Sequence, residues 1–121
     1  MLTGQCHCGN ISFSADTSPK IVTECNCSIC NRYGARWAYY KPSAVTLLVR
    51  DEQTKTYRWG DEMIDFHHCP RCGCMTHYTG TGKDNEPKDR IALNIRMCAL
   101  EQTADIRIRH FDGANSWTYL D

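Results

Sequence analysis

Apolar and polar residues alternate along four stretches of the chain: Ile11, Phe13 and Ala15; Val45, Leu47 and Val49; Ile91, Leu93 and Ile95; and Ile106 with Ile108. A period of two marks a strand with one covered face. Four further runs, Lys20 to Glu24, Arg36 to Lys41, Thr54 to Trp59 and Met63 to His68, lack strict alternation. They are nonetheless rich in β-branched and aromatic residues and are separated by Gly, Pro, Asp and Asn, so they also read as extended. The pattern predicts a mainly β chain of about eight short strands. Only Ser28 to Tyr33 reads as a helical turn, with Ser28 as its cap. Residues 79–89 combine turn formers and charges without an apolar period, which predicts an exposed loop. No internal repeat or composition break interrupts the chain, so residues 1–121 are expected to form a single domain.

Charge changes little in this picture. Fourteen basic residues balance fourteen acidic ones, and without a broad basic face no nucleic-acid partner is expected. No run approaches the roughly 18 apolar residues of a spanning helix, so no membrane association is expected and a cytoplasmic location is. An exposed strand edge would allow a homodimer.

Cysteine changes the picture most. Nine are present, an odd number, and in a reducing compartment they read as metal ligands or reactive thiols before disulfides. They fall into Cys6-His7-Cys8-Gly9, Cys25-Asn26-Cys27-Ser28-Ile29-Cys30 and Cys69-Pro70-Arg71-Cys72-Gly73-Cys74, with Cys98 apart as a small apolar residue. Cys6 and Cys8 can face one ion if the chain bends at Gly9. In the third cluster Pro70 fixes one φ angle and Gly73 can take a positive one, which builds a knuckle around Cys69 and Cys72. Joined, these four thiols make a closed tetrahedral site for structural zinc; Cys74 is an alternative to one of them.

Cys25, Cys27 and Cys30 are three ligands with no evident fourth. An ion held from three directions keeps a position for a water or a substrate atom, and thiolate surroundings suit another thiol. A thiol bound there would lose its proton and stay nucleophilic towards a small aldehyde. Completion by Cys74, His67, His68 or His77 would instead make a second structural site. Two zinc ions per chain are expected either way.

With these motifs the chain resembles the glutathione-dependent formaldehyde-activating enzyme family, through Gly4 to Gly9, Cys25 to Arg32 and Phe66 to Gly73, and more weakly through Asn94-Ile95-Arg96, Phe111-Asp112-Gly113 and Ser116-Trp117. The resemblance implies a β-tent of small antiparallel sheets pinned by zinc knuckles, the zinc Rab-chaperone-like superfold. It also implies that Cys6, Cys8, Cys69 and Cys72 hold structural zinc while Cys25, Cys27 and Cys30 hold catalytic zinc. The implied activity is that of a carbon-sulfur lyase working in the synthetic direction, joining a thiol such as glutathione to formaldehyde or another small aldehyde with a zinc-bound thiolate as nucleophile. The competing expectation is a noncatalytic module with two structural zinc sites that binds a protein or a thiol metabolite.

Glutathione carries two carboxylates and an amine, so cations near the open site are candidate contacts: Arg32 and Arg36 beside Cys30, and Arg71 in the knuckle. Trp37, with Tyr33, Tyr39, Tyr40 and Trp59, could wall a cleft. His67 and His77 are candidate acid/base groups for the alkoxide formed by addition.

Overall fold

The computed structural model describes residues 1–83 and 89–121. Its described elements are ten strands, two 3-10 turns and two short α-helices, the second of which, Leu100–Thr103, was not expected, and the fold is mainly β. β1 (Leu2–Gln5), β2 (Ile11–Ala15) and β5 (Val45–Val49) form an antiparallel sheet in the order β1-β2-β5. The second sheet has the order β10-β3-β4-β9-β8-β7-β6. It comprises β3 (Ile21–Cys25), β4 (Trp37–Tyr40), β6 (Lys55–Tyr57), β7 (Ile64–His68), β8 (Met75–Gly80), β9 (Ile91–Asn94) and β10 (Arg107–Phe111). Its pairings are antiparallel except that of β10 with β3, which is parallel. No described helix is long and apolar enough to cross a membrane.

The alternating stretches become strands, with differences that burial explains. In β2, Ile11, Phe13 and Ala15 are buried and the serines between them less so, as a period of two requires. In β5 the alternation has no such meaning: Leu47 is 40% exposed and Leu48 61%. Leu47 pairs with buried Phe13, but β5 is the edge of its sheet and overhangs the core. Ile95 falls just past β9 in a 3-10 turn, and β10 begins one residue after Ile106.

Two strands escape the pattern. β1 offers one buried apolar residue, Leu2. β8 is covered on both faces over Met75 to Tyr78, which removes any alternation. The predicted 79–89 loop is therefore corrected at its start, where Thr79 and Gly80 belong to β8; residues 84–88 lie outside the described ones.

The large sheet separates two apolar layers. On one face Ala38 and Leu93 pack with Leu2, Phe13, Val22 and Ile95, joining the two sheets. On the other face Trp37, Phe66, Tyr78 and Ala92 pack with Cys30 and Ala35. Since Tyr39, Ala92, Tyr78 and Phe66 are successive cross-strand partners, they share a face by strand geometry. That face carries the candidate site.

Candidate metal centre and cleft

The chain brings together two groups of thiols. Cys6, Cys8, Cys69 and Cys72 have their sulfurs within 4.8 Å of one another, and so do Cys25, Cys27 and Cys30.

The first group sits where the β1–β2 connection meets the β7–β8 knuckle. Gly73 takes φ +78° and its N–H donates to Cys69 O at 2.9 Å, closing the knuckle. Cys6 and Cys8 sulfurs are 3.7 Å apart and Cys8 and Cys69 sulfurs 3.6 Å. Four sulfurs at about 2.3 Å from one tetrahedral ion lie about 3.8 Å apart, so the spacing fits. Backbone and amide donors converge on the same atoms: Ile11 N–H on Cys6 Sγ, and Asn10 Nδ2 and Arg71 N–H on Cys69 Sγ. Against the push of burial, N–H groups of Cys74 and Cys8 and the thiols of Cys6 and Cys69 hold Cys72 down to about 5. Against an N–H from Asn10, burial and the neighbouring thiols push Cys8 up to about 11. Crowded thiols cannot all ionise unless a cation stands among them. Cys74 packs beside this group without joining it.

The second group is formed where β3 ends and helix α1 (Ser28–Tyr33) begins. The helix has the expected bounds, but its cap is Cys27 and not Ser28: Cys27 Sγ accepts from Cys30 N–H at 3.5 Å. Burial pushes the Cys30 thiol up, while the indole N–H of Trp37 pulls it down. That indole is 1% exposed, and its Nε1 meets no acceptor at hydrogen-bonding distance and angle. A thiolate at Cys30 would relieve the orphaned donor, which is what metal ligation produces. Burial also raises Cys25, opposed by N–H groups of Cys27 and Gly113.

Gly113 comes from the segment after β10, which is tied over the cluster. Asn26 Nδ2 donates to Asp112 Oδ1 at 2.9 Å, and Ala114 N–H donates to Asn26 Oδ1 at 2.9 Å. Asp112 also accepts from Ser116 N–H and Oγ–H, and the Asn26 amide with the Ser116 donors holds its carboxyl below the usual range.

The three thiols open into a cleft of about 590 Å³. Its sheet wall is Trp37, Tyr39, Phe66 and Tyr78; Phe111, Trp117 and Tyr119 close one side, and Trp59 and Asp61 another. Trp37 and Tyr78 meet edge-to-face at 4.8 Å. Arg90 also lines the cleft, its Cζ 4.5 Å over the Tyr39 ring and its Nη2 donating to Tyr78 Oη at 3.2 Å.

Of the residues expected at the cleft, Trp37, Tyr39 and Trp59 line it, whereas the expected arginines do not. Arg32 donates to Ser28 O within its own helix, Arg36 is 3.7 Å from Glu24, and Arg71 pairs with Asp51 at 2.7 Å beside the four-thiol group. The expected histidines are not brought to the thiols either. Phe66 pairs with Tyr78 and His67 with His77, so adjacent residues place both imidazoles on the opposite face of the sheet from the cleft. There they stack at 4.2 Å, with Thr54 and Thr79 hydroxyls on His67 and Thr76 on His77. His68 packs against Tyr33 at 5.2 Å. Among the described residues the second group therefore ends at three ligands. Arg90 escapes sequence reasoning because only the β4–β9 register carries it to Tyr39.

The stacked pair has its own consequence. Burial, then the neighbouring His67, lowers His77 from 6.5 to about 3. Its contribution to stability is complete above the unfolded value and is lost as pH falls towards 3, amounting to about 2 kcal/mol at pH 5. Melting temperatures of wild type and His77→Gln between pH 7 and 5 should show the steeper fall in the wild type. Parallel curves would show that His77 charges in the folded state.

A family model described as glutathione-dependent formaldehyde-activating enzyme matches residues 1–111. Among solved structures, a crystal structure of a Rhodobacter sphaeroides protein resembles this fold with a TM-score of 0.69 at 20% identity, covering 88% of this chain and 99% of that one. At that identity the likeness concerns the fold alone. The family match spans nearly the whole chain and takes in all seven clustered thiols, and the chain belongs to the glutathione-dependent formaldehyde-activating enzyme family.

Proposed function

We propose that the cleft joins a thiol to formaldehyde or another small aldehyde, a carbon-sulfur lyase reaction run in the synthetic direction. The observation that carries this reading is the trio of thiols, short of a fourth ligand among the described residues, at the base of a ligand-sized cleft. The family name points to glutathione as the reference thiol. Cys25, Cys27 and Cys30 would hold zinc there, and Cys6, Cys8, Cys69 and Cys72 a structural zinc. Zinc at the three-thiol site supplies an ionised, nucleophilic state of an added thiol at neutral pH.

In the reaction the thiol sulfur bonds to the aldehyde carbon, the C=O π bond breaks towards oxygen, and the proton released by the thiol ends on that oxygen. The chain's own contributions are positional and electrostatic. The orphaned N–H of Trp37 would find its acceptor in a thiolate at Cys30, and the Cys27 N–H, with that of Gly113, would support one at Cys25. Burial raises Tyr39 and Tyr78, so their phenols stay protonated at neutral pH and cannot act as bases. The buried rings of Trp37, Phe66 and Tyr78 keep water from the sheet side of the cleft.

Native mass spectrometry with added glutathione or 2-mercaptoethanol tests this, followed by exchange NMR of formaldehyde capture. Two zincs, a thiol adduct and capture faster than the uncatalysed rate are expected. Cys27→Ser should stay folded, lose about one zinc and lose the adduct. Two zincs without an adduct from either thiol would leave the noncatalytic module as the better reading.

A further inference from the structure

Glutathione is polar along its length and brings two carboxylates and an ammonium. The cleft offers a carboxylate, Asp61, that could meet the ammonium, but one guanidinium for the two carboxylates. Its sheet wall is four aromatic rings, and the guanidinium that reaches it from the described residues is that of Arg90. Arg32, Arg36 and Arg71 are held elsewhere.

Arg90 is seated for one particular task. Tyr39 supports one face of the guanidinium and Tyr78 Oη takes one N–H. A group with five donors keeps enough of them for a two-point grip on a carboxylate. No carboxylate among the described residues forms an ion pair with it. Its position along the sheet sets a length: Trp37 stands beside Cys30, and Tyr39 is two residues further along β4, about 7 Å. A molecule with sulfur at the thiols and a carboxylate at Arg90 must lie along the aromatic wall, and flat apolar matter gains most there.

We infer that this cleft takes a thiol with a flat, apolar body carrying one carboxylate at the end away from the sulfur, and that Arg90 is the anchor for that carboxylate. This rests on the reading of the cleft as a thiol-to-aldehyde site and narrows its substrate.

The test is calorimetric titration of the zinc-loaded full chain with 4-mercaptophenylacetate, 4-methylbenzenethiol and glutathione. 4-Mercaptophenylacetate should bind at least tenfold more tightly than glutathione. Arg90→Gln should weaken it by about tenfold while changing 4-methylbenzenethiol less than twofold. Glutathione binding as tightly, or Arg90→Gln weakening both aryl thiols equally, overturns the inference. If Arg90→Gln melts below the assay temperature, Arg90→Lys serves: it keeps the charge but not the two-point grip, so an undiminished carboxylate preference again overturns the inference. Titration with 4-hydroxyphenylacetate, which has no thiol, separates the two readings. Its affinity should still depend on Arg90 when no carbon-sulfur product forms, and independence from Arg90 counts against the anchor alone.

Discussion

Serine at position 69 is expected to leave the chain without a cooperative melting transition and largely insoluble. Cys69 Sγ is buried, 3.6 Å from Cys8 Sγ, and receives Asn10 Nδ2 and Arg71 N–H. A hydroxyl there removes the thiolate that those donors converge on. The four-thiol group links the β1–β2 connection to a knuckle some sixty residues later, and structural zinc in small domains carries on the order of 10 kcal/mol of folding energy. That is comparable with the whole stability of a domain of this size, about 5–15 kcal/mol. Far-UV circular dichroism, a thermal melt and zinc content of any soluble fraction decide it. A normal melt with one zinc missing would show that the fold stands without this site.

Alanine at position 113 is expected to do the opposite, sparing the fold and emptying the three-thiol site. A Cβ built on Gly113 lies 2.6 Å from Cys25 Sγ and 3.2 Å from Cys27 Cβ. The sulfur or the loop must therefore move, at about 1–3 kcal/mol. Either movement spoils a ligand set that tolerates only a few tenths of an ångström. The variant should melt within about 10 °C of wild type, carry one zinc in place of two, and lose thiol addition. Full zinc content with full activity would show that Cys25 has room the structure does not give it.

The cysteine framework was legible because ligand spacing is local: two cysteines around a bend, two in a knuckle and three at the start of a helix need no knowledge of the fold. Strand β2 was legible for a related reason, since one covered face writes itself into every second residue. β8 was not, because cover on both faces erases the period. The arginines show where reasoning from proximity along the chain fails. Arg32 and Arg36 are neighbours of Cys30 in sequence, yet α1 turns the first onto its own carbonyl and Glu24 draws the second away from the cleft. Arg90 is sixty residues from Cys30 and reaches the cleft only through strand register. The histidines were not legible, because only the fold sets Phe66 in the cleft wall and so puts its strand neighbour His67 on the other face.

The strap formed by β10 and the segment through Tyr119 has a consequence for biosynthesis. The four-thiol group is complete in sequence once Cys72 has left the ribosome, whereas Gly113 and the rings of Phe111, Trp117 and Tyr119 emerge about forty residues later. The three-thiol group, itself made earlier, acquires its Gly113 neighbour and its aromatic side only after that later stretch has emerged, so the cleft takes shape after the thiols that pin the fold are in place.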